Sequence, residues 1–168
     1  MKYYYCLFIG FFFVTFFSCR EKYPKKADYL NSKVIEKEVR SEDGSILYTL
    51  QVSFYKDGEI KEIKRYKDNG LGTGEHLWFF PNGKLDKKIP FKNGLAQGNG
   101  YYFYDSTGTF SAHRYFRNDI PVYQGEEYWE DSIGMIKSIL YINDSGKIYY
   151  KKNFDKNGNF INEEGKKK

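Results

Sequence analysis

Gly74-Glu-His-Leu-Trp-Phe-Phe-Pro-Asn-Gly-Lys-Leu-Asp-Lys-Lys-Ile-Pro-Phe-Lys-Asn-Gly-Leu-Ala-Gln97 holds two Asn-Gly pairs, Asn82-Gly83 and Asn93-Gly94, each set between hydrophobic runs. Asn-Gly readily takes the positive φ that tight hairpin turns demand. The stretch therefore reads as strand, turn, strand, turn, and Gly98 begins the same pattern again.

The pattern extends in both directions. Turn signals recur at Ser41–Gly44, Lys56–Gly58, Lys67–Gly70, Asp105–Gly108, Arg117–Asp119, Asp131–Gly134, Asn143–Gly146 and Asp155–Gly158. The segments between them are strand-like. Tyr48, Leu50, Val52 and Phe54 alternate with Thr49, Gln51 and Ser53, and Lys33–Arg40 also alternates with period two. Such residues suit a pleated, half-buried surface, and no helical period is sustained anywhere. A longer period overlies the short one. Gly58, Gly83, Gly108 and Gly134 are 25, 25 and 26 residues apart, and Gly74, Gly98 and Gly125 are 24 and 27 apart. The fold class expected is all-β: an elongated antiparallel sheet of successive β-hairpin repeats. Such units must stack. Ordering two dozen residues costs about 1–2 kcal/mol each, a few apolar side chains return about 1.5–3 kcal/mol apiece, and a lone hairpin is marginal. The other architecture compatible with ten or so regular strands is a closed up-and-down barrel holding a lipid or glycan.

Gly-x-x-x-x-aromatic-x-x-Asn-Gly-Lys-Leu, then aromatic-Lys-Asn-Gly, resembles the variant MORN repeat of bacterial proteins labelled YwqK-family antitoxins. The matching positions are Gly74, Phe80, Asn82, Gly83, Leu85, Phe91, Asn93, Gly94 and Gly98. A second copy matches at Tyr104, Gly108, Phe110, Phe116 and Gly125, and looser copies flank these two. Two departures stand out: Asn118-Asp119 lacks the expected glycine, and Asp131–Gly134 is drawn out. The resemblance implies an elongated sheet of hairpins and a role in binding a protein, a toxin in the antitoxin-like case.

The amino terminus carries an address. Met1-Lys2 precedes fifteen mostly apolar residues, Tyr3–Phe17, and then Ser18-Cys19. As a helix, fifteen residues rise about 22 Å, short of the ~30 Å hydrocarbon core of a bilayer. The pattern is an export signal, and Phe16-Phe17-Ser18-Cys19 resembles a bacterial lipobox, with Phe16 in place of the usual Leu. The resemblance implies cleavage before Cys19 and a diacylglycerol on its thiol. That supplies the two chains that stable anchoring requires. The expected organisation is a signal peptide over 1–18, a lipidated Cys19 with a polar tether over 19–32, a repeat domain over 33–162 and a basic tail over 163–168. The expected location is the cell envelope, on the outer membrane. Loss of Cys6 with the signal and use of Cys19 for lipid leave no thiol for a disulfide, so the domain is held by packing.

Composition narrows the function. Aromatic residues are 20% of the chain and charged residues 29%, so rings are interleaved with Lys, Asp and Glu, as two-faced strands require. The formal charge of +5 is too modest and too dispersed for a nucleic-acid stripe. The only histidines, His76 and His113, have no metal-ligand spacing and read as pleat residues. Glu126-Glu127 and Glu130-Asp131 offer the carboxylates a glycosidase needs, but neighbouring strand positions point to opposite faces. Asp155–Asn159 lacks the glycine and glutamate of a calcium loop, and Gly70–Gly74 opens no helix that would present a phosphate site. No catalytic residue, metal site or cofactor is expected. Aromatic clusters at matching places in successive units remain, and the candidate binding residues are Trp78, Phe80, Tyr102, Tyr104, Tyr115, Tyr128 and Trp129. Rings of this kind anchor protein interfaces. The expected function is a membrane-anchored, non-catalytic interaction or scaffold module with a protein partner of the envelope.

Overall fold

The computed structural model describes residues 34–166; the signal segment, Cys19 and the tether lie outside the described residues. The described chain is all-β. Its strands are β1 (Val34–Arg40), β2 (Ile46–Phe54), β3 (Ile60–Tyr66), β4 (Gly74–Phe79), β5 (Leu85–Lys92), β6 (Leu95–Ala96), β7 (Gly98–Phe103), β8 (Phe110–Arg117), β9 (Ile120–Tyr128), β10 (Ile136–Ile142), β11 (Ile148–Phe154) and β12 (Phe160–Gly165). The last strand runs three residues past the expected domain boundary at 162, which places Glu163, Glu164 and Gly165 in the sheet.

Sheet order follows chain order, β1-β2-β3-β4-β5-β7-β8-β9-β10-β11-β12, with β6 pairing on β5. Every pair is antiparallel. The first and last strands do not pair, so the sheet is open. The barrel expected as the other architecture is therefore not formed, and with it goes the enclosed ligand cavity.

The turns fall on two rims. One carries Gly58, Gly83, Gly108, Gly134 and Gly158 at intervals of 24 to 26 residues. The five hairpins on this rim share one register. Phe54 opposes Ile60, Phe79 opposes Leu85, Phe103 opposes Phe110, Tyr128 opposes Ile136 and Phe154 opposes Phe160. In each, the residue after the second member (Lys61, Asp86, Ser111, Lys137 or Ile161) is extra, so the strand bulges at the same point. A bulge sharpens local twist, and its repetition carries that twist along the sheet. On the opposite rim, the turn without glycine is closed by Asn118 and Asp119, at φ 50° and 69°. Two consecutive positive φ values make a tight hairpin turn, and Asn and Asp tolerate them best after glycine.

The core changes face along the sheet. Leu50, Val52 and Ile63 are buried on what we term the front face, packed by Tyr48, Phe54, Ile60, Leu77 and Phe79. In the middle of the sheet the cluster is on the back: Ile89 and Phe116 are buried with Ala96 and covered by Trp78, Phe91 and Tyr102. Gly100 makes this second cluster fit, because a Cβ there would lie 2.6 Å from a ring carbon of Phe116. Each buried aliphatic side chain contributes about 1.5–3 kcal/mol, so both clusters are needed along so long a sheet.

Candidate functional site

Front and back are fixed by the register, since directly opposed residues share a face and successive residues alternate. The register puts Tyr101, His113 and Glu126 in one cross-strand row on the front face of β7, β8 and β9. Lys88 opposes Tyr101 from β5 and extends the row.

The row is held by side chains. The Lys88 ammonium lies 5.0 Å from the centre of the Tyr101 ring, and the Tyr101 and His113 rings lie 5.3 Å apart. His113 Nε2 bonds Asn99 Oδ1 at 3.0 Å, while Nδ1 lies 3.6 Å from Glu126 Oε2. The Tyr128 hydroxyl donates to the same carboxylate oxygen at 2.8 Å. Burial and then this bond to a carboxylate push the Tyr128 phenol up to about 12. Phe110 packs against Tyr128 with the ring planes tilted and centroids 4.7 Å apart, and closes the patch on that side. The side chains of His113 and Glu126 keep 22% and 26% of their surface accessible. The patch is thus an accessible, preordered mixture of rings, one carboxylate, one amide and one ammonium. Such a surface can hydrogen-bond and stack on a partner without rearranging.

Glu127 sits one residue on and faces the back. Its carboxylate accepts from Ser138 Oγ at 2.6 Å and from Arg114 Nη2 at 3.1 Å, with Lys151 Nζ 3.7 Å away. Burial alone would raise this carboxyl, yet the Ser138 hydroxyl and the two cations hold it below its ordinary value. Glu126 and Glu127 are therefore on opposite faces, as their spacing predicts, and cannot act on one bond as a carboxylate pair. His76 is also on the back, 3% exposed, stacked on Phe91 at 4.2 Å and bonded through Nε2 to the Arg65 carbonyl at 2.9 Å. Among the described residues, no group of three or more His, Cys, Asp or Glu is placed to hold a metal ion.

The candidate residues expected from the sequence divide among three places. Trp78 and Tyr102 belong to the back cluster, and Lys87 lies over the Trp78 ring at 5.0 Å. Tyr115 and Tyr128 are on the front. Phe80, Tyr104 and Trp129 stand at the rim beside the turns, where Lys137 and Lys156 flank the Trp129 ring at 5.2 and 5.5 Å. They do not form one surface. The front patch instead gathers Asn99, Tyr101, His113 and Glu126 around Tyr128. The signal available for it was positional: Tyr101 and Glu126 are one repeat apart, 25 residues. Cys19 lies outside the described residues. No helix among the described residues is long and apolar enough to cross a membrane.

No family model matches the sequence, and no curated protein matches it. Two solved structures are similar at a low level. One is a mutant of S. aureus TarM in complex with fondaparinux, alpha-GlcNAc-glycerol and UDP, at 12% identity and TM-score 0.31, over 92% of this chain and 25% of that one. The other holds accessory secretory proteins 1, 2 and 3 of Streptococcus pneumoniae, at 12% identity and TM-score 0.24, over 76% of this chain and 21% of that one. The chain spans a quarter or less of the length of either, and likeness this slight carries no argument.

Proposed function

We propose that this protein is a lipid-anchored envelope protein whose MORN-like hairpin sheet is a non-catalytic interaction module for another envelope or secreted protein. The observation that carries the reading is the front patch, where Tyr101, His113 and Glu126 are accessible yet already fixed by Lys88, Asn99 and Tyr128. Preordered aromatic and charged side chains lose little entropy on docking, which is what an interface anchor needs. The anchor on Cys19 holds that face at a membrane, where its partner is met at raised local concentration. In the antitoxin-like form of the reading, the partner is a toxin that the patch covers.

The test is site-specific photo-cross-linking in cells, with the reactive side chain at position 101 on the front and at position 87 on the back. A single protein captured from position 101, lost in His113→Ala and not captured from position 87, is the expected result. Equal capture from both faces, or capture unaffected by His113→Ala, would contradict the proposal. Separately, Cys19→Ala is expected to abolish processing and lipid attachment; a variant that is still lipid-modified would sink the anchor.

A further inference from the structure

The change of face in the core leaves one region of the sheet bare. Along β1, β2 and β3 the buried cluster of Leu50, Val52 and Ile63 is on the front, and none of the back-facing residues of these strands is buried. The back cluster begins only at β4, with Trp78. On the bare part lies an open hollow of about 410 Å³, whose lining includes Glu36, Glu38, Thr49, Gln51, Tyr66 and Asp68. That volume is in the range of small-ligand sites. We propose that this hollow binds a neutral sugar, with the Tyr66 ring against the apolar C–H face of a pyranose and the carboxylates on its hydroxyls. The site is separate from the front patch and does not depend on the protein partner proposed for it.

The register lays these groups out in two rows. Glu38, Thr49 and Tyr66 oppose one another across β1, β2 and β3, and Glu36, Gln51 and Lys64 form the next row. Strands about 4.8 Å apart and same-face residues about 6.8 Å apart make a grid on the scale of one pyranose ring. Tyr66 stands on the side of the back cluster, its ring 5.8 Å from that of His76. It supplies the apolar area that C–H groups need, and the rest of the lining is polar. That polar floor has more acceptors than donors. Glu36 Oε1 accepts from Gln51 Nε2 at 2.8 Å, and Glu38 Oε2 accepts from Arg40. The other oxygen of each carboxylate has no donor among the described residues, and neither has the Asp68 carboxylate. Lys64, whose place in the row could put an ammonium on the floor, pairs with Glu62 at 3.0 Å. Carboxylates only accept, and their bonds to hydroxyls are charge-assisted and strong. Three carboxylates repel an anion, while Arg40 and Lys67 beside them oppose a cation. A neutral ligand rich in O–H donors and apolar on one face meets all of these conditions, and a pyranose has that chemistry.

The experiment is calorimetric titration of the full chain, in a detergent whose headgroup is not a sugar, with cellobiose, chitobiose, maltose and lactose as the probes. At least one is expected to bind with a millimolar Kd or tighter. Tyr66→Ala is expected to raise that Kd about tenfold or more, and Asp68→Asn, on an exposed turn, about threefold or more. Tyr101→Ala, on the front, is expected to leave it unchanged. No saturation by any of the four at about 20 mM overturns the inference, and so does a Kd that neither Tyr66→Ala nor Asp68→Asn changes. A Kd raised by Tyr101→Ala instead would put the sugar on the front patch and also overturn it. Should Tyr66→Ala fail to fold, Asp68→Asn decides alone. Protein capture from position 101 is read separately, so loss of the front-patch reading and loss of this one are distinguishable.

Discussion

The phenol of Tyr104 donates to the backbone carbonyl of Tyr128 at 2.7 Å, and the phenol of Tyr55 makes the same bond to the carbonyl of Phe79, also at 2.7 Å. Each bond spans 24 residues and joins a rim turn to the end of a strand in the next repeat. The ring between them in the series, Phe80, has no hydroxyl. There the link passes to Asn82, whose amide donates to the Asp105 carbonyl at 3.1 Å and to its side chain at 2.7 Å, while the Lys84 ammonium bonds the Ser106 carbonyl. Stacked repeats gain stability from such nearest-neighbour contacts rather than from a common centre.

Removing one link should therefore weaken the whole stack. Tyr104→Phe keeps the ring and deletes the donor, at an expected cost of about 1 kcal/mol. The melting temperature should fall by about 2–4 °C. Asn82→Ala should cost more, because Asn82 Oδ1 also closes its own turn by accepting from the Lys84 amide at 3.0 Å. Thermal unfolding followed by circular dichroism compares them; a Tyr104→Phe protein as stable as the wild type would remove the phenol from the account.

Gly100 is a packing requirement. Its φ lies outside the left-handed region that most of the described glycines occupy, but a methyl group there meets Phe116 at 2.6 Å and Ile89 at 3.4 Å. Gly100→Ala should destabilise by about 1–3 kcal/mol through overpacking. Phe116→Leu in the same chain should recover part of that loss, and chemical denaturation of the single and double variants measures the recovery.

Acid should act through Glu127. Its folded pKa is depressed below the ordinary 4.5, so its contribution is full above that value and is lost as pH falls through the folded pKa. Stability measured from pH 6 downward should decline more steeply in the wild type than in Glu127→Gln, so that the gap between them narrows. Parallel curves would show that the contacts with Ser138, Arg114 and Lys151 do not couple to folding.

His76 gives a second, separate window. Burial, the largest influence, pushes its pKa below the ordinary 6.5. A histidine held neutral in the fold contributes stability that is full above pH 6.5 and declines as pH falls below it. His76→Phe should keep the stacking on Phe91, lose the bond to the Arg65 carbonyl and flatten this part of the curve. Unfolding curves at pH 8 and pH 5.5 test it; an unchanged difference between them would contradict the assignment.

Much of the fold was legible because turn chemistry is local. Asn82-Gly83 and Asn93-Gly94 mark their turns without reference to any distant residue, and the 25-residue interval then orders the strands. What local chemistry cannot carry is the face on which each strand is covered. Val52 and Ile89 look alike in sequence, yet one is buried on the front and the other on the back. His76 reads as an ordinary pleat residue and is buried because Gly72 and Phe91 close over it, a contact set by register. For the same reason the aromatic candidates were assigned by kind, and the structure distributes them between two faces and a rim.

The open, stacked sheet is the central claim, and the distance between its edges tests it most directly. Spin labels on non-canonical side chains at positions 37 and 162, diluted into unlabelled protein, report the separation of β1 and β12. Ten steps of about 4.8 Å between neighbouring strands predict a separation of several nanometres, shortened somewhat by twist. A distance of about 5 Å, that of paired neighbouring strands, would mean that the sheet closes on itself and would contradict the account.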